Sequence, residues 1–130
     1  MLGKLRQANQ IRQKEWSGSD KADTAFRTIE IGGEFGELSE AIGSHLINSM
    51  MAVEVSGRAG KVMEAIKKQL RDQRGIQGNK ADLEDVKEEL GDCVIVLDLL
   101  AGNLGIDLEK AVKDKFNKTS RKYNLKTMIA

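Results

Sequence analysis

Apolar positions recur at helical spacing along the whole chain. Leu2, Leu5, Ala8 and Ile11 return every three residues and predict a short amphipathic helix over 2–15 with a narrow stripe. Trp16, the only Trp, follows it, and Ser17-Gly18-Ser19-Asp20 forms a break. Ser19 or Asp20 suits the N-cap of a next helix starting near Lys21. That helix carries Phe26 and Ile29 and, within five residues, Gly32, Gly33 and Gly36. Each interior glycine costs on the order of 1 kcal/mol relative to Ala. The loss calls for a reason: close approach of a neighbouring helix, or access of a ligand. Residues 73–82, QRGIQGNKAD, read as the clearest loop, with Asp82 as N-cap of a helix over about 83–102. Its apolar face is Leu83, Val86, Leu90, Val94 and Leu97, and Gly102-Asn103 or Gly105 ends it. Asp107 caps a last helix over about 108–123.

The polar positions hold a second pattern. Glu30, Glu34 and Glu37 stand at i, i+4, i+7, and so do Asp85, Glu89 and Asp92. On a helix that spacing puts the three acids of each set on one face. A single such row is usually a solvated face. Two rows, each backed by apolar positions, repel if they face each other, and hard divalent cations relieve that repulsion. Near the other end Lys113, Asn117 and Arg121 fall at i, i+4, i+8, in a region with no acid after Lys115. An acid-lined metal site beside a basic, amide-bearing face suits a triphosphate. The bland alternative is a solvated basic helix end.

Composition narrows the classes. A chain of 130 residues with 21 Lys plus Arg against 20 Asp plus Glu suits one domain and gives no global field for nucleic acid or membrane. It has no Pro and is rich in helix formers, so the expectation is all-α. The single Cys93 cannot form an internal disulfide, and it sits in an apolar run as a core residue, which fits a reducing cytoplasm. No apolar run reaches the roughly 20 residues of a membrane span, and the start lacks the apolar core of a signal peptide. Asp98, flanked by apolar residues, is a candidate buried pair partner. His45 reads as exposed rather than as a ligand, and Met50, Met51 and Met63 read as gap-filling packing.

The middle of the chain repeats itself. EIGGEFGELSEAI (30–42) and EVSGRAGKVMEAI (54–66) are identical at six of thirteen positions, at an offset of 24. The second copy keeps the packing residues and puts Arg58 and Lys61 where the first has Glu34 and Glu37. If the chain folds back here, Gly43 and Gly57 are the natural bends. Arg58 and Lys61 then pair with Glu34 and Glu37, meet substrate phosphates, or remain solvated.

GEFGEL followed by EELGD, with FRTIE before and KFNKTSRKYNL near the end, resembles the MazG-like all-α nucleoside triphosphate pyrophosphohydrolases. The family pattern is ExxE, a gap, then ExxD. Here 51 residues separate Glu37 from Glu89, too many for that gap, so 43–66 reads as an insertion in a single domain spanning 1–130. The resemblance implies a bundle of four to five helices completed by oligomerisation, as a homodimer or homotetramer. It implies a cytoplasmic enzyme that splits a nucleoside triphosphate into monophosphate and pyrophosphate. Mg2+, with Mn2+ as the alternative ion, is held by Glu34, Glu37, Glu89 and Asp92. Glu30, Glu34 and Glu37 are the catalytic acids, and Trp16, Lys113, Asn117 and Arg121 bind substrate. From the residues alone Trp16 reads first as a core or interface anchor, and otherwise as a wall for a base. Two rivals stand beside this reading: a catalytically inactive helical oligomerisation or regulatory module, suggested by Arg58 and Lys61, and a nucleic-acid binder using the basic tail, which the near-neutral charge disfavours.

Overall fold

The computed structural model describes residues 1–43, 49–79 and 81–130, and these are all-helical. The helices are α1 (Leu2–Glu15), α2 (Thr24–Gly43), α3 (Ser49–Arg74), α4 (Leu83–Asn103) and α5 (Leu108–Lys122), with a 3-10 turn at Ser19–Lys21. The chain forms two compact units, Thr24–Leu100 and Met1–Asp23 with Ala101–Ala130. His45 lies outside the described residues, as do the side chains of Met50 and Met51.

In the Thr24–Leu100 unit, α2 and α3 pack as an antiparallel pair. Ser39 Oγ and Ser56 Oγ are hydrogen-bonded at 2.6 Å. One turn-pair further on, a Cβ added at Gly32 would stand 3.3 Å from Met63 Cε. Gly32 therefore lies where α3 comes close, against the flexible end of Met63, while a Cβ at Gly33 or Gly36 would meet nothing within 4 Å. The two contacts are related by the internal repeat: Ser56 is the counterpart of Gly32, and Met63 of Ser39. The hairpin thus has a pseudo-two-fold axis. The core follows it, with Ile42 and Val55 in one cluster and Ile66 and Ile31, their counterparts, in the other. α4 covers both halves, giving Val96 and Leu100 to the first cluster and Val86 and Cys93 to the second. It runs antiparallel to α3, because Val55 meets the Leu100 end and Ile66 the Val86 end.

Three expectations change here. Gly57 is no bend, since α3 continues unbroken from Ser49 to Arg74 and α2 ends at Gly43. The buried stripe of α4 is Val86, Cys93, Val96 and Leu100, whereas Leu83, Leu90 and Val94 stay exposed. The two stripes adjoin on the helix, and the symmetric hairpin selects the one that reaches both clusters. Asp98 is exposed, on the side of α4 turned from the core.

The α4 start is capped reciprocally: Asp85 N donates to Asp82 Oδ1 at 3.0 Å and Asp82 N to Asp85 Oδ2 at 2.9 Å. α4 ends through Gly105 at φ +67, with Ile106 N donating to Ala101 O at 2.8 Å.

The other unit pairs α1 with α5. The Arg12 guanidinium lies 3.4 Å from the centre of the Phe116 ring, and Nη1 donates to Phe116 O at 3.1 Å. Asp107 caps α5 by accepting from Lys110 N at 2.9 Å. Ser19 does not cap α2; its hydroxyl donates to Gln13 O and closes the end of α1.

The C-terminal segment returns across this pair. Glu15 Oε2 accepts from Lys126 N at 2.6 Å, and Glu15 Oε1 from Thr127 Oγ1 at 2.5 Å. The Thr127 hydroxyl first, then the Thr127 and Lys126 amides, hold the Glu15 carboxyl below the usual glutamate range. A depressed carboxylate stabilises the fold fully above the ordinary value of about 4.3 and loses that contribution as pH falls through the folded value. Thermal melts of Glu15→Gln are therefore expected to fall less steeply than wild type on acidification below about pH 4.3. Parallel curves would remove this clamp as the cause.

Candidate functional site

Both acid rows lie in the Thr24–Leu100 unit, on different helices, and the hairpin decides which surfaces they meet. Gly32 and Ser39 mark the side of α2 that faces α3. At about 100° per residue, Glu34 and Glu37 lie roughly 140–200° around from that side. They occupy the outer flank of α2 and are exposed. Arg27, on the same flank, lines a cleft of about 330 Å³ with Ile31, Leu83, Val86 and Leu90. The outer flank of α2 therefore meets the leucine edge of α4. Asp85 and Asp92, two residues on from Leu83 and Leu90, point about 200° away from that edge.

The acidic edge of α4 meets α3 instead. By the repeat, Arg58 and Lys61 hold on α3 the outer-flank positions that Glu34 and Glu37 hold on α2. Arg58 Nη1 lies 3.3 Å from Asp92 Oδ2 in a partly exposed ion pair. Beside it Glu89 is half-buried, and its Oε2 is buried without a hydrogen-bond partner. Cys93, one residue past Asp92, has its thiol pushed up by burial first and then by Glu89, with Arg58 acting in the other direction. Arg58, Glu89 and Asp92 are thus one electrostatic group on the α3–α4 face.

The four carboxylates expected to share a metal do not gather in one chain. Among the described residues there is no group of three or more His, Cys, Asp or Glu side chains able to hold a metal ion. Glu34 and Glu37 make no ion pair with Arg58 or Lys61; the repeat sets them on opposite outer flanks. Glu30 is paired with Arg27 at 2.6 Å. Glu89 and Asp92 nevertheless suit a cation. A carboxylate oxygen buried without a donor lacks the interaction its charge demands, and Mg2+ is commonly held by one or two carboxylates together with substrate phosphates.

The expected substrate-binding residues all belong to the other unit. Trp16 packs against Tyr123 with the rings tilted at 49° and their centroids 4.8 Å apart. Asn117 is buried, and both ends of its amide are taken: Nδ2 donates to Ile129 O at 2.9 Å and Oδ1 accepts from Ile129 N at 2.8 Å. Asn117 fastens the C-terminal segment through Ile129. Lys113 is half-buried on α5, and Arg121 is exposed.

The MazG-like family model matches residues 58–128, more than half of the chain, and the chain belongs to the MazG-like family. The matched stretch opens at Arg58, so it takes in most of the second copy of the repeat, α4 and α5, and leaves out the first copy. No curated protein and no solved structure matches the chain. No helix among the described residues is long and apolar enough to cross a membrane.

Proposed function

We propose that this chain is a cytoplasmic nucleoside triphosphate pyrophosphohydrolase, converting a nucleoside triphosphate and water into the monophosphate and pyrophosphate. Family membership supports the reaction class. The observation that carries the site is the unsatisfied buried oxygen of Glu89 beside Asp92, with Arg58 against them. Glu89 and Asp92 would hold Mg2+, or Mn2+ in its place. Bound there, the ion would polarise the phosphoryl oxygens and lower the charge barrier to attack at the α-phosphorus. Arg58 and Lys61 on the adjoining flank of α3 bind the outer phosphates and stabilise the leaving pyrophosphate. One of the two carboxylates takes the proton of the attacking water.

The chain works as a homodimer or homotetramer. Leu83, Leu90 and Val94, exposed along one edge of α4, support a helix-to-helix contact between copies. That contact would also make the acids of α2, Glu30, Glu34 and Glu37, available to a second copy. Sedimentation is expected to give a dimer or larger at micromolar concentration, and a stable monomer would refute this part.

A second reading is favoured by one observation. The Arg58–Asp92 pair engages a carboxylate that the reaction needs free, which suits a catalytically inactive helical module. Incubation with the common ribo- and deoxyribonucleoside triphosphates and Mg2+ separates the two. Release of pyrophosphate and monophosphate supports the hydrolase; no turnover of any of them leaves the inactive module.

A further inference from the structure

The hairpin symmetry gives Arg58 a meaning beyond a surface ion pair. The repeat made two copies of one helix, and only one outer flank meets the acidic edge of α4. That flank belongs to α3, where arginine and lysine replace the two glutamates of the first copy. The guanidinium then sits on Asp92 at 3.3 Å, one helical turn from the unsatisfied Glu89 Oε2. Were α2 on that flank, four carboxylates would crowd together and demand a cation. With α3 there, the chain supplies a positive group of its own.

We infer that Arg58 is a built-in counter-ion that competes with a divalent cation for Asp92, and that it passes from the carboxylate to phosphate when a metal–triphosphate complex arrives. This rests on the hydrolase reading for its second half only. The geometry suits exchange. Both side chains are partly exposed, Arg58 at 30 % and Asp92 at 50 %, so the pair is open to water and such pairs are weak. Arginine binds carboxylate and phosphate oxygens with the same planar donor set, so the two acceptors are alternatives for one group. Glu89 has no cationic partner among the described side chains and is left for the metal. Lys61, one turn along on the same flank, adds positive charge without touching Asp92.

The inference predicts opposite effects of one substitution on two ligands. Mn2+ alone, titrated into the full chain by calorimetry or by its paramagnetic resonance signal, is expected to bind Arg58→Ala about tenfold more tightly than wild type, the order expected for removing one close charge at a partly exposed site. The Mn2+ complex of a non-hydrolysable triphosphate is expected to bind the same variant more weakly than wild type. Asp92→Asn in the Arg58→Ala background should erase the gain in Mn2+ affinity. Lys61→Ala should shift Mn2+ binding less than Arg58→Ala. Arg58→Gln, which keeps much of the side-chain volume, covers the case in which alanine unfolds the chain.

Unchanged or weaker Mn2+ binding in both Arg58 variants would overturn the counter-ion role. Tighter Mn2+ binding with triphosphate affinity unchanged would overturn the transfer to phosphate. The metal titration contains no nucleotide, so it is decided independently of turnover. A wild-type chain that hydrolyses nothing, with Arg58→Ala still gaining Mn2+, sinks the hydrolase and leaves the counter-ion standing.

Discussion

Glu89→Met is expected to abolish pyrophosphohydrolase activity while making the protein more stable. Loss of one of two carboxylates around a divalent ion should lower kcat/KM at least about a hundredfold, since the ion supplies several kcal/mol of transition-state stabilisation. Stability should move the other way. Glu89 Oε2 is buried with no hydrogen-bond partner, and an unsatisfied buried polar group costs about 1–3 kcal/mol. Methionine fills a similar volume without that cost, so the melting temperature should rise by a few degrees, at roughly 3–6 °C per kcal/mol for a chain of this size. Opposed changes in activity and stability identify a residue kept for function. A variant that is both less active and less stable would assign Glu89 to the packing of α4 instead.

Leu100→Ala is expected to give the largest loss of stability. Leu100 is 3 % exposed and packs with Ile42, Val55 and Val96 where both hairpin helices meet α4. Truncating a leucine in such a place costs about 2–5 kcal/mol, a large part of the roughly 5–15 kcal/mol that holds a typical domain together. Asp98→Ala, two residues away and exposed, should stay within about 0.5 kcal/mol. Denaturant unfolding of the pair tests the assignment of the buried stripe. Equal midpoints would mean that a different face of α4 is packed.

The sequence was most legible where structure is decided locally. Asp82 and Asp107 announce their helices because a cap needs only the next three residues. Gly105 announces a helix end because a positive φ suits glycine. α4 was harder. Leu83, Leu90 and Val94 carry as strong a helical period as Val86, Cys93, Val96 and Leu100, and the choice between adjoining stripes belongs to the partner helices. The same holds for the acids. Spacing puts Glu34 with Glu37 and Glu89 with Asp92, but which row meets which depends on the handedness and register of the α2–α3 hairpin. The repeat was visible and so was its charge inversion. What could not be read was that the inverted copy takes the place beside the acidic edge of α4. Asn117 and Glu15 act through a C-terminal segment whose return has no periodic signal, so an amide that looked available for substrate is already committed to Ile129.

The Glu89–Asp92 edge of α4 is expected to direct water to the α-phosphorus of a nucleoside triphosphate. Hydrolysis in 18O-labelled water with Mg2+, followed by mass spectrometry of both products, tests that role. Label is expected in the monophosphate and not in the pyrophosphate, with the reaction lost in Asp92→Asn. Label in pyrophosphate or in inorganic phosphate, or hydrolysis that persists in Asp92→Asn, would contradict it.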